Sequence, residues 1–352
     1  VRCSCACGWC RRQGDAPRVC VLGAGVMGLS TALCISRSLP HAHISVLADN
    51  FSPDTTSDVA AGILHPSTIP VTHIFGWVQY WFKQTFEHVL GLSRRDDAPS
   101  IGVQLVSGYE VFREPPVEHP PFWADLVIGF RAMTDQELSG FPGHTFGWFF
   151  TTLQCESSFY LPWLMKKLQS ANVELKKTHV ENIWHLHGQY DVVVNCTGLG
   201  SHALFGDNEV YPVRGQVIMV RAPWLKHFVR AGDGHTYIYP GVRDVTLGGT
   251  RQSHWGMLLP IAEDSLGIWE RCCALVPSLK RSRRLAERVG LRPSRASIRL
   301  ERECLACGAL RMTVVHCYGH GGVGVTLHWG CAREVAALVC DSLRGHVASA
   351  KL

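Results

Sequence analysis

The chain has 352 residues, 46% of them hydrophobic and 18% charged, with a formal net charge of +5. That length allows two domains with a sizeable core, and the apolar content excludes a disordered chain. The mild charge argues against a nucleic-acid binder, and no apolar run approaches the roughly 20 residues that span a bilayer.

Residues 1–17 begin with Val and are expected to be a disordered or artefactual extension. Their cysteines, Cys3, Cys5, Cys7 and Cys10, are followed by no Cys or His pair at finger spacing, so no metal site is expected. The total of 15 cysteines is odd and predicts mostly free, buried thiols. Residues 19–22 predict a short buried strand, and Gly23-Ala24-Gly25-Val26-Met27-Gly28 then forms a GxGxxG turn opening a helix over 29–39. Residues 43–49 predict a second strand that ends in Asp49, an acid 21 residues beyond Gly28. That order is the dinucleotide βαβ unit, with Gly23 for the tight turn, Gly25 for close approach of a pyrophosphate and Gly28 for helix packing. By these rules NAD and FAD fit equally. The following "NFSPDTTSDVAAGILHP" offers hydroxyls and a glycine to a phosphate or flavin, or simply to its own turns.

Residues 70–155 are aromatic-rich and turn-rich, with helix and loop signals. "DVVVNCTG" at 191–198 predicts a buried parallel strand whose C-terminal end faces a ligand. Residues 209–252 alternate with period two and predict antiparallel strands of another sheet. Within them, 236–251 reads as a hairpin turning at Pro240-Gly241-Val242-Arg243-Asp244. Gly248-Gly249 interrupts its second strand, which marks a close approach to the backbone and is expected to let the strand end beside a bound ligand just before Arg251. The basic cluster Lys280-Arg281-Ser282-Arg283-Arg284 reads as a solvated segment, and Cys304 and Cys307 as an incidental pair in a loop between strands. "YGHGGVGVTLHWG" carries a second glycine-rich turn before a long C-terminal helix. One extended ligand met from both glycine-rich turns is the expected arrangement.

Six ordered stretches, "GAGVMGLSTA", "DTTSDVAAG", "VVVNCTG", "PVRGQV", "GLRPSR" and "HCYGHGGVGVTLHWG", resemble the D-amino-acid oxidase family of FAD enzymes from about Arg18 nearly to the C-terminus. The resemblance implies an α/β fold in which a Rossmann-like FAD domain (18–66, 156–208 and 292–352) is interleaved with a mixed antiparallel-sheet substrate domain (67–155 and 209–291). It implies FAD contacts at the first glycine motif and at Asp49, Asn50, Thr56, Ser57, Gly62, Ile63, Val180, Thr197, Gly321, Gly322, Gly324, Val325 and Thr326. It places a substrate arginine at Arg292, a tyrosine at Tyr237 and a backbone contact to substrate and flavin at Gly322. Members acting on acidic D-amino acids add arginines matched here by Arg230 and Arg251.

The activity implied is oxidation of an acidic D-amino acid by hydride transfer to flavin N5, with O2 as acceptor and H2O2, ammonia and a 2-oxo acid as products. Oxidation of neutral D-amino acids, or flavin binding without turnover, are the alternatives. Departures from the family pattern include Asn50 for a basic residue, His65 in "AAGILHP", Cys317 in "HCYGHG" and the glycine Gly322. His320 and His328 are expected to be structural. Ala350-Lys351-Leu352 fits the peroxisomal address read by an import receptor.

Overall fold

The computed structural model describes residues 16–66 and 75–349. The expectations for Cys3, Cys5, Cys7 and Cys10, and for Ala350-Lys351-Leu352, lie outside the described residues. The strands are β1 (Arg18–Leu22), β2 (His43–Ala48), β3 (Val103–Phe112), β4 (Ile128–Ala132), β5 (Phe146–Cys155), β6 (Glu174–Lys177) and β7 (Val192–Asn195). They continue as β8 (Tyr211–Arg221), β9 (Phe228–Ala231), β10 (Tyr237–Pro240), β11 (Val245–Gly248), β12 (Gln252–Ser253), β13 (Arg283–Cys307) and β14 (Leu310–His320). All belong to one sheet of order β4-β5-β3-β9-β10-β11-β8-β13-β14-β7-β1-β2-β6, with β12 on β8.

The two ends of this sheet differ in kind. β14, β7, β1, β2 and β6 are all parallel, the doubly wound arrangement. Their near-continuous Val, Ile and Leu suits strands covered on both faces. The helix Val26–Ser38 packs on the C-terminal helix Gly324–Ser349 and on Ser157–Ser170, closing one face. Beyond β13 the pairings are antiparallel except β3 with β9. β13 itself is long because its first half pairs with β8 and its second with β14, so it joins the parallel and mixed parts without a break.

The first helix starts at Val26, inside the glycine motif, rather than at 29. Residues 75–155 are more regular than their composition predicts. They form the helix Phe75–Ser93 and the strands β3, β4 and β5. In β5, "FGWFFTTLQC", bulky groups fall on both faces, so the period-two signal of a strand is erased by burial on both sides. Cys304 and Cys307 also differ from expectation. They sit in β13 opposite Thr313 and Leu310, because the strand runs on to a tight turn at Gly308.

Candidate active site

A cavity of about 580 Å3 opens at the carboxyl ends of β1, β2 and β7 and runs to the β10–β11 hairpin. Its first end is lined by Gly23, Ala24, Gly25, Val26, Met27, Asp49, Asn50, Thr56, Ser57, Gly62, Ile63, Val180 and Thr197. Gly321, Gly322, Gly324, Val325 and Thr326 line it from the C-terminal glycine-rich turn, and Tyr237, Arg230, Arg251 and Arg292 line the other end. Every expected site residue therefore borders one cavity, with the exception of Gly28. That residue lies beneath the turn, where an added Cβ would run into the Gly23 carbonyl, as expected for helix packing.

Gly23 has φ +100°, and a side chain there would strike the Cys196 backbone at the end of β7. These glycines bring the N-terminus of the Val26–Ser38 helix to the cavity wall. Ser57 is not simply free for a ligand, since its hydroxyl accepts from the Val26 N–H at 3.0 Å. The loop that carries it is folded by Asp58, which accepts from Ser52 Oγ at 2.6 Å and from Thr55 Oγ1 at 2.6 Å. Asp49 follows β2 with an exposed carboxylate, 3.0 Å from His179 Nδ1.

At the far end, residues on four neighbouring strands form a row. Glu110 of β3 pairs with Arg230 of β9, Arg230 with Tyr237 of β10, and Tyr237 with Gly248 of β11. An added Cβ on Gly248 would fall inside the Tyr237 ring. The close approach marked by Gly248-Gly249 is therefore made chiefly by the protein's own tyrosine, while Gly249 lines the cavity. Tyr237 stacks on Tyr239 with ring centres 4.5 Å apart. Burial pushes the Tyr237 phenol up, against the opposing pull of Arg292, Arg230 and Arg251.

The three cavity arginines have different partners. Arg292 gives NH1 to the Thr250 carbonyl at 3.1 Å, and its guanidinium lies over Gly215, where any Cβ would overlap it. Arg251 is exposed and makes no ion pair or hydrogen bond among the described residues. Partial desolvation at the cavity end, then the neighbouring Arg292 and Arg230, pull its pKa below the usual value. Arg230 gives Nε to Glu110 at 2.9 Å and NH1 to the Tyr239 hydroxyl at 3.3 Å. Glu110 also accepts from His65 Nε2 at 3.0 Å. Glu110, Tyr239 and Gly215 were not singled out from sequence. The signals were an acid among the apolar residues of "VSGYEVF", the i+2 spacing of the two tyrosines in "TYIYP", and the glycine in "PVRGQV".

His328 is fully buried, off the cavity, and bonded to Tyr160 Oη at 3.0 Å and the Val325 carbonyl at 2.7 Å. His320 borders the cavity, but burial pushes it down to about 3, which keeps it neutral near pH 7.

The model of a family described as FAD dependent oxidoreductase (DAO) matches residues 18–338. The chain belongs to this family. It is 51% identical to the D-aspartate oxidase of Homo sapiens over 93% of this chain and 96% of that protein. It is 38% identical to a D-amino-acid oxidase of Rubrobacter xylanophilus over 93% and 97%. The glycine oxidase of Bacillus cereus shares the fold, with a TM-score of 0.74 at 18% identity over 92% of this chain and 95% of that one.

FAD is the cofactor of this oxidoreductase family, and the residues fit it. Gly23 and Gly28 leave no room for a side chain against their own backbone neighbours, so the tight turn brings the helix N-terminus to the cavity wall. The buried Nε2 of His320, on the cavity wall, has no protein partner among the described residues. Residues 23–27, Asp49 and the loop through Ser57 would hold the nucleotide half, and residues 321–326 would face the flavin half.

Proposed function

We propose that the enzyme oxidises D-aspartate and related acidic D-amino acids to the 2-oxo acid, ammonia and H2O2. The observation that carries this reading is the cluster of Arg292, Arg251 and Arg230 around Tyr237, at the end of the cavity away from the nucleotide cradle. A dicarboxylate needs two cationic partners, and this end offers Arg292 together with the unpaired Arg251. The relative named D-aspartate oxidase supports the same substrate class.

FAD, when bound, would supply a two-electron acceptor for the substrate Cα–H hydride and a route for those electrons to O2. The chain's own residues do the rest. Arg292 binds the α-carboxylate and turns the Cα–H toward the flavin half, a task suited to a planar two-donor group. Arg251 binds the distal carboxylate, with Arg230 beside it on the cavity wall. The Tyr237 and Tyr239 rings wall the site and limit water. With His320 neutral and His328 off the cavity, the substrate amine enters neutral, and no side chain has to remove a proton from Cα.

Segments 18–66, 156–208 and 292–352 form the FAD-binding part and 67–155 with 209–291 the substrate part. The change from parallel to antiparallel pairing at β13 supports that division. Peroxisomal housing is supported by Ala350-Lys351-Leu352 and by the peroxide product. A tagged chain with that end left free should collect in peroxisomes, and a diffuse distribution would refute it.

The test of substrate class is steady-state peroxide production on D-Asp and D-Ala by wild type and Arg251→Ala. Hydrogen bonds to charged groups are worth roughly 1.5–3 kcal/mol, so kcat/KM for D-Asp should fall about ten- to hundredfold in the variant. D-Ala lacks the distal carboxylate and should change little. Equal losses on both would mean that Arg251 supports the fold and does not read the substrate.

A further inference from the structure

Arg230 and Arg251 border the same end of the cavity, yet among the described residues only Arg230 has an acid partner. Glu110 lies behind Arg230, 3% exposed, and does not line the cavity. The register β3–β9 places the two side by side, and Glu110 holds Nε of Arg230 at 2.9 Å while Tyr239 holds NH1. The second carboxylate oxygen is fixed by His65 Nε2, whose ring is packed against Trp123 and Phe150. Burial pulls the His65 pKa down, against the opposing pull of Glu110, and its Nδ1 has no partner among the described residues, so Nε2 carries the proton given to Glu110. Although burial opposes ionisation of Glu110, its two partners outweigh that and hold the carboxyl below its usual range. Arg230 and Glu110 therefore form a neutral, rigid pair at the wall.

We propose that Glu110 is a positioning residue that sets substrate selectivity through Arg230. Its arm fixes the guanidinium, and its charge offsets part of the positive potential that a distal carboxylate meets. The carboxylate of Glu110 and that of a dicarboxylic substrate stand on opposite sides of one guanidinium and repel each other, in a setting of low dielectric. The pocket is thereby less selective for dianions than its arginine count suggests. This inference rests on the D-aspartate reading.

Glu110→Gln removes the charge and keeps an acceptor for Arg230 Nε, so it separates charge from shape. In the FAD-loaded enzyme the KM for D-Asp should fall about fivefold, with kcat within about twofold and the KM for D-Ala unmoved. Binding of malonate, read from the flavin absorbance change, should tighten by a similar factor while binding of acetate does not. Glu110→Asp, which keeps the charge, should return the D-Asp to D-Ala ratio toward wild type. A merely structural role would raise both KM values or lower flavin content instead. Should Glu110→Gln not accumulate as loaded protein, Glu110→Asn compared with Glu110→Asp makes the same test at equal side-chain length, with the same expectation and the same contradiction. A D-Asp to D-Ala ratio that is unchanged or lowered in the charge-free variant overturns the proposal. If wild type itself fails to prefer D-Asp, the substrate reading falls with it; if wild type prefers D-Asp, only the role of Glu110 falls.

Discussion

Arg214 and Arg292 lie on adjacent strands, and their partners decide which of them is structural. Arg214 is fully buried and spends its donors on Gln252, Asp264, Gln216 and the carbonyls of Met257 and Leu259. It is a fastener. Arg292 borders the cavity with only carbonyl partners, at 3.1 and 3.4 Å, and with no acid among the described residues. Its positive charge is left for a ligand. Arg292→Ala should therefore lower kcat/KM on D-Asp and on D-Ala together, by up to about a hundredfold, since a charge-assisted bond is worth up to about 3 kcal/mol. Rates on the two substrates measured under identical FAD loading check this, and loss confined to D-Asp would assign Arg292 to the distal carboxylate instead. By the same comparison Arg214→Ala should cost stability first, seen as a lower Tm.

At the scale of elements, the substrate end is built from strand register, with glycines making room for the groups that do the chemistry. Gly215 on β8 is where the Arg292 guanidinium rests, and Gly248 on β11 is where the Tyr237 ring rests. The obstacle at Gly215 is the far end of a flexible side chain, so Gly215→Ala should leave Tm nearly unchanged while raising KM for D-Asp and D-Ala alike. At Gly23 the obstacle is the Cys196 backbone, which cannot step aside. Gly23→Ala should lose FAD and stability together, and retention of a full yellow complement would contradict that.

These positions also show what could be read in advance. The βαβ unit was legible because glycine spacing, strand and acid all lie within one short stretch. The β10–β11 hairpin was legible because its turn, closed by Gly241 N–H to the Asp244 carbonyl at 2.8 Å, is local. The β3–β5 pair was not, because aromatic residues fill both faces of β5. The Glu110–Arg230 pair was not, because 120 residues separate its partners and only the sheet brings them together. The glycine pair at 248–249 was read as room for a bound ligand, but the group that approaches Gly248 is Tyr237, which only the cross-strand register reveals.

Over the whole molecule, buried neutral histidines tie stability to pH. Burial pushes His320 down to about 3 and His328 to about 4, both below the usual value of 6.5. The unfolded chain takes up protons below about pH 6.5 that the folded chain refuses. Stability should therefore be complete above that value and fall as pH drops toward 4 and then 3. Tm measured at pH 7.5, 5.5 and 4.5 should decrease in that order, and a flat or rising series would contradict it. Above that window the described strands form a single sheet, and the cavity at its strand ends is lined by glycine-rich turns on one side and by arginines on the other. The most direct test is anaerobic mixing of the FAD-loaded protein with an amino acid. D-Asp should bleach the flavin absorbance far faster than D-Ala, L-Asp should leave it intact, and admitting O2 should restore the colour with one H2O2 per flavin. Persistence of the oxidised spectrum with D-Asp, or equal bleaching by L-Asp, would contradict the reading of this site.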